Sequence, residues 1–185
     1  LVREGLGIDD GATVFCHVGR MENEIKNQRL LLSVFAAYRK WHPGAKLILI
    51  GDGGKRAEFE AFARELSCFG GCCFVGKTNA VADYLSASDM FLFPSKSEGL
   101  GISLVEAQAS GIPCVVSDRV PERARYMGNV AYVPIDEGVG PWLDAIDDLL
   151  PAGRCEVGAQ VVAESGYSVD ASSAILRKAL GLDVE

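Results

Sequence analysis

Two hydrophobic patterns take turns along this chain. Short runs that are apolar at nearly every position occur at Thr13 to Val18, Ala45 to Ile50, Cys72 to Val75, Met90 to Phe93, Pro113 to Val116 and Val130 to Val133. Such runs predict strands buried on both faces. Between them, apolar residues recur every three or four positions, as on one face of a helix. Asn27 to Trp41 shows this with Leu30, Leu31, Val34, Phe35 and Tyr38, and Lys55 to Leu66 with Phe59, Phe62 and Leu66. Val81 to Ala87, Ile102 to Ser110 (stopped by Gly111), Trp142 to Leu150, Glu156 to Glu164 and Ala171 to Leu180 also read as helices.

Strands alternating with helices predict an α/β chain: a doubly wound, Rossmann-like parallel sheet of six strands, with extra helices toward the C-terminus. A ligand is then expected at the carboxyl ends of the strands. Gly138, Gly140, Pro141, Pro151 and Gly153 punctuate the last third, which is expected to pack on the edge of the same sheet. Residues 1–185 therefore read as one domain. Leu1-Val2-Arg3-Glu4 looks like mid-protein sequence, so the expectation is a fragment of a larger protein.

Charge sharpens this picture. Basic and acidic side chains cancel over residues 1–135, so the whole net charge of −7 falls after that point. No basic footprint for nucleic acid is present. An anion site must then be built locally, from a few aimed side chains and helix ends. No run approaches the ~18 apolar residues that would span a bilayer. The six cysteines lack paired C-x-x-C spacing, and with only His17 and His42 beside them no metal site is expected. Cys16 and Cys114 lie in strand-like runs as small buried groups, and adjacent Cys72 and Cys73 cannot easily bridge. A reducing, cytoplasmic setting fits.

The candidate chemistry gathers at strand ends. Gly19-Arg20 closes the first strand, and Lys26 precedes the following helix. An arginine can grip two phosphate oxygens and a lysine adds a mobile charge, so the two match a diphosphate. The alternative is a pair of loop charges neutralised by Glu22 or Glu24. Gly51-Asp52-Gly53-Gly54 departs from the dinucleotide fingerprint spacing and reads as a tight strand-to-helix turn. Ser95 to Glu106 follows the fourth strand as a glycine-bearing loop and a helix start, which presents N–H groups to an anion. Two carboxylates there, Glu98 and Glu106, are wrong for an anion and suit hydroxyls. Glu106 sits about 6 Å into the helix at ~1.5 Å per residue, where a vicinal diol could reach it. Ordinary readings remain: Glu98 as a first-turn glutamate favouring the dipole, Glu106 as a solvated one. The small and apolar neighbours Leu104, Val105 and Ala107 make an unpartnered charge at Glu106 costly. His17 reads as a core histidine, Asp118 and Glu122 as loop or capping residues, and Trp41, Phe59 and Phe62 as packing aromatics.

In this order, Val-Gly-Arg with Lys26, Ile-Gly-Asp-Gly, Phe-Val-Gly at 74–76, Phe-Pro-Ser at 93–95, Glu98-Gly-Leu-Gly through Glu106-Ala and Ser110-Gly-Ile-Pro resemble one family. This is the C-terminal, donor-binding domain of retaining GT-B glycosyltransferases of family 4, in their bacterial exopolysaccharide and capsule-type version. The resemblance runs from about Leu6 to Leu180. It implies metal-independent binding of a nucleotide diphosphate hexose, expected to be a UDP-sugar. Arg20, Lys26 and the backbone of Gly99, Leu100, Gly101 and Ile102 would hold the diphosphate, with Gly19 beside them. Glu106 would hold the ribose, Glu98 the donor sugar, and the loop at Gly76 and Lys77 the base. Glu98, Arg20 and Lys26 would carry the catalytic roles. The acceptor, a saccharide or lipid-linked chain, would bind an N-terminal domain absent here, so the chain alone is expected to be inactive. Cytoplasmic placement is implied, with contact to the inner membrane face left open. A non-catalytic sugar-nucleotide module and half of a sugar-nucleotide epimerase are the competing readings.

Overall fold

The computed structural model describes residues 1–167. Six parallel strands form one sheet: β1 (Val14–Val18), β2 (Lys46–Ile50), β3 (Cys72–Gly76), β4 (Met90–Phe93), β5 (Cys114–Ser117) and β6 (Val130–Val133). Their order is β3-β2-β1-β4-β5-β6. The four inner strands are buried almost throughout, and the edge strands β3 and β6 are partly open.

The helices are α1 (Val2–Gly5), α2 (Gln28–Arg39), α3 (Arg56–Glu65), α4 (Val81–Ser86), α5 (Ile102–Ala109), α6 (Gly140–Leu149) and α7 (Gly158–Val162). Alternate residues of each strand feed two cores. Phe15, Leu47, Leu49, Met90 and Leu92 pack with residues of α2, α3 and α6. Val14, Cys16, Ile48, Phe91, Phe93 and Cys114 pack with Leu85 of α4 and with Leu104 and Ala107 of α5. Trp142 and Ile146 tie α6 into the first core, so this helix packs on the sheet. The six cysteines are free thiols, with Cys16 and Cys114 fully buried.

Two details depart from the sequence reading, and one expectation falls outside the described residues. The short α1 carries no apolar periodicity; it is held by Arg3, which donates to both Asp89 carboxylate oxygens at 2.9 Å and to the Ala87 carbonyl. Trp41 is not a packing aromatic. The helix stops at Arg39, Tyr38 is its last buried residue, and Trp41 is 84% exposed on the turn beyond. The helix expected over 171–180 lies outside the described residues.

The sheet splits where its order reverses. β1 and β2 pair over five residues, Val14 to Val18. β1 and β4 pair only at Phe15↔Met90 and Cys16↔Phe91, then part. His17 bridges the gap: its Nδ1–H donates to the Leu92 carbonyl at 2.9 Å. The resulting crevice opens at the carboxyl ends of β1 and β4, the place where a doubly wound sheet takes its ligand.

Candidate functional site at the carboxyl edge of the sheet

The loops leaving β1, β2 and β3 are laced together by backbone. Gly19 N–H donates to Ile50, Met21 N–H to Asp52, Lys55 N–H to Met21 and Gly51 N–H to Gly76. This contact requires glycine. A Cβ on Gly51 (φ +129°) would stand 2.1 Å from the Gly19 carbonyl oxygen, and one on Gly53 2.4 Å from the Met21 carbonyl carbon. Gly51-Asp52-Gly53-Gly54 is therefore the tight turn its spacing suggested. Buried Gln28, at the start of α2, donates from Nε2 to the Arg20 carbonyl at 3.0 Å and fixes the loop above it.

Two adjoining cavities lie over these loops. One, of about 310 Å³, is lined by Gly19, Arg20, Lys26, Lys77, Thr78 and Ser103, among others. The other, of about 570 Å³, is lined by Arg20, Glu22, Asp52, the neighbouring glycines and Lys77. Arg20 and Lys77 are exposed and line both, with neither side chain in an ion pair among the described residues. A third cavity, of about 390 Å³, opens at the amino end of the sheet between Arg3 and Arg154. Both guanidiniums there are committed to protein acceptors: Arg154 to the carbonyls of Leu85, Ser86, Ser88 and Ser110, and Arg3 to Ala12, Ala87 and Asp89.

The loop after β4 closes the other side of the crevice. Gly101 (φ +75°) N-caps α5, and no side chain caps its first N–H groups. That leaves a positive helix end facing outward. Lys26 does not pair with Glu22 or Glu24. Glu24 binds Lys55 at 2.6 Å, and Glu22 accepts from Gly54 N–H. The Lys26 ammonium instead reaches Glu98 Oε1 at 2.6 Å, with side-chain exposures of 22% and 10%. It also lies 5.0 Å from the Phe93 ring centre. Lys96 N–H donates to the Ile25 carbonyl at 2.8 Å, so backbone and ion pair close the same two loops.

Glu98 lies before α5, outside its first turn. Glu106 lies one turn in and is exposed, because α5 buries Leu104, Val105, Ala107 and Gln108 on its other side. Glu106 does not carry the cost its apolar neighbours suggested: partial desolvation raises its carboxyl pKa, but water reaches it. Gly99 and Ile102 are exposed, Leu100 half-buried, and Gly76 (φ +84°) buried beneath exposed Lys77.

Several residues that shape the site carry little or no local signal. Arg123, in the short turn Glu122–Ala124, donates from Nη2 to the Gly99 carbonyl at 3.0 Å and steadies the glycine loop. Gln108 is fully buried. It donates to Ala124 at 2.7 Å and accepts from Tyr126 and Met127 N–H. A polar residue on the apolar face of α5 is the one clue to Gln108; nothing in sequence marks Arg123. His17 is fully buried as expected, but only half satisfied. Leu92 O can only accept, so Nδ1 carries the proton and Nε2 is a bare, unpartnered acceptor. Burial lowers its pKa to about 4. A Cβ at Gly19 would stand 2.9 Å from both His17 Nε2 and Lys26 Cγ, so Gly19 leaves room for both groups beneath the loop. Among the described residues no three His, Cys, Asp or Glu side chains are grouped to hold a metal ion.

A parallel sheet split at its switch point, with cations and an open helix end at the split, defines an α/β domain suited to a phosphorylated ligand. Comparison with known proteins makes the class specific. Residues 2–132 match the model of glycosyl transferases group 1, and the chain belongs to that family. It is 31% identical over 182 residues to EpsF of Bacillus subtilis strain 168, named as a glycosyltransferase, covering 97% of this chain and 47% of that protein. It is 30% identical over 117 residues, 61% of this chain and 30% of the relative, to an Escherichia coli UDP-Gal:alpha-D-GlcNAc-diphosphoundecaprenol alpha-1,3-galactosyltransferase. The fold matches Anabaena HepE, solved with UDP and glucose, at a TM-score of 0.79 and 20% identity, over 98% of this chain and 50% of that one. The sheet and its helices are thus those of a GT-B glycosyltransferase. The chain spans about half the length of EpsF and HepE.

Proposed function

We propose that this chain is the C-terminal, donor-binding half of a retaining family 4 glycosyltransferase. It would bind a nucleotide diphosphate hexose, with UDP as the expected nucleotide, and act in cell-surface polysaccharide synthesis. The observation that carries this reading is the cleft over the carboxyl ends of β1 and β2, bounded on one side by the start of α5 at Ser103. Arg20, Lys26 and Lys77 line its cavity, and the uncapped start of α5 adjoins it with Glu98 at the rim. The E. coli relative is named for a UDP-Gal donor, and HepE has been solved with UDP-glucose.

In this reading Arg20 and Lys26 hold the diphosphate, helped by the backbone of Gly99 to Ile102. Exposed Glu106 meets the ribose hydroxyls, Glu98 the hexose, and Gly76 with Lys77 the base. Fixed donors aimed at the leaving diphosphate stabilise charge as it develops, without reorganising at the moment of reaction. The cations supply that charge, so donor binding is expected to survive EDTA. A saccharide or lipid-linked acceptor would dock on a second, N-terminal domain.

The test is thermal unfolding with and without millimolar UDP. UDP should raise the midpoint, and Arg20→Ala should abolish the rise. Arg20→Ala should change the stability of the free protein by no more than about 0.5 kcal/mol, because the side chain is exposed and unpaired. No shift with UDP, GDP or ADP, in the isolated chain and in the two-domain protein, would sink the donor-site reading.

A further inference from the structure

The two side chains this donor site needs for its ligand are engaged with each other. Lys26 and Glu98 meet at 2.6 Å, both largely withdrawn from water. The pair spans the crevice from the β1–α2 loop to the β4–α5 loop, beside the Lys96–Ile25 backbone bond. The Lys26 stem is seated against Gly19, and its ammonium lies over Phe93. No other acid pairs with Lys26 among the described residues, and no other base with Glu98.

The consequence follows from charge. A diphosphate that takes the Lys26 ammonium removes the partner of Glu98. A carboxylate 10% exposed is then left beside a ligand of its own sign. Breaking a withdrawn pair on one side only is costly, because the abandoned charge has no replacement. A diphosphate esterified to a hexose brings hydroxyl donors to the rim, and these can take over the Glu98 oxygens. A bare nucleoside diphosphate brings only its ribose hydroxyls, which the reading above places on Glu106 and not on Glu98.

We infer that the Lys26–Glu98 ion pair makes this site discriminate between an intact sugar nucleotide and the bare diphosphate left after transfer. The inference rests on the donor-site reading above. Empty, the pair is closed. The donor opens it by offering a partner to each half, phosphate to Lys26 and hydroxyls to Glu98. Once the sugar has left, Glu98 again competes for Lys26, and the closing pair expels the diphosphate. Glu98 thereby acts as a specificity residue as well as a sugar contact.

The experiment is isothermal titration of UDP and UDP-glucose into the two-domain protein, wild type and Glu98→Gln. The amide keeps the size of the side chain and removes its charge. UDP should bind the variant about tenfold more tightly than wild type, a change of about 1.4 kcal/mol. UDP-glucose should bind it no more tightly. The ratio of the two dissociation constants is read on one sample, so a partly unfolded variant does not distort it. Lys26→Met removes the phosphate partner and should weaken both ligands. If wild type binds both ligands and the ratio stays within twofold in Glu98→Gln, or UDP weakens there, the inference fails alone. If wild type binds neither ligand, the donor-site reading fails and the inference with it.

Discussion

His17 shows how one residue can serve the fold and the site together. Its Nδ1–H replaces the ladder bond lost where β1 and β4 part, and its bare Nε2 lies beneath the Gly19 loop. Burial lowers its pKa from 6.5 to about 4, so the imidazole is neutral in the folded chain down to mildly acidic pH. Between those two values the unfolded chain binds more protons than the folded one, so stability rises with pH. The contribution is complete above about pH 6.5 and is lost as pH falls toward 4. The shift corresponds to about 3 kcal/mol across that window. Denaturant unfolding from pH 4.5 to 7.5 should show the slope. His17→Asn, which keeps a donor near the Nδ1 position and has no imidazole to titrate, should flatten it. An unchanged slope in the variant would assign the pH dependence to other groups.

At the scale of elements, the site depends on where α5 begins and what holds it there. Gly101 starts the helix in a left-handed conformation against the Phe93 ring, and Arg123 pins the loop before it. Gln108 then joins α5 to the connection between β5 and β6 through three main-chain groups. Gln108→Leu matches the apolar surroundings yet strands the Ala124 carbonyl and the Tyr126 and Met127 N–H groups. Each buried polar group left unpaired costs about 1–3 kcal/mol, so a loss of about 3 kcal/mol or more is expected in urea unfolding. A loss below about 1 kcal/mol would mean that water or a neighbour replaces these bonds. Among the described residues, the strands and longer helices were readable to within two or three residues, because buried parallel strands and amphipathic helices carry different periods. α1 was not readable, since a single arginine holding Asp89 and Ala87 keeps it in place and no pattern in its own residues does.

For the whole molecule, the chain covers about half of the relatives it matches. In the proposed reading this chain is the donor-side wall of a two-domain cleft, and the acceptor side belongs to the other domain. The isolated chain is therefore expected to bind UDP and to transfer no sugar. Transfer should appear only in the two-domain protein, and UDP binding should persist in EDTA. Sugar transfer by the isolated chain, assayed with UDP-sugars and saccharide acceptors, would contradict the division of labour.

What the sequence determined by itself was the periodic part: six strands, the helices between them, and the placing of Arg20, Lys26, Glu98 and Glu106 near strand ends. Those follow from local spacing and from the rule that parallel sheets bind ligands at their carboxyl edge. That only the four inner strands are buried on both faces was decided by the sheet order. Only the tertiary structure decided who partners whom. It gave Lys26 to Glu98 across 72 residues, left Glu106 in water, placed Arg123 on Gly99 and turned Trp41 outward. The physical reason is that hydrophobic period reports which face is buried, whereas ion pairs and side-chain hydrogen bonds depend on which loops the crossovers bring together.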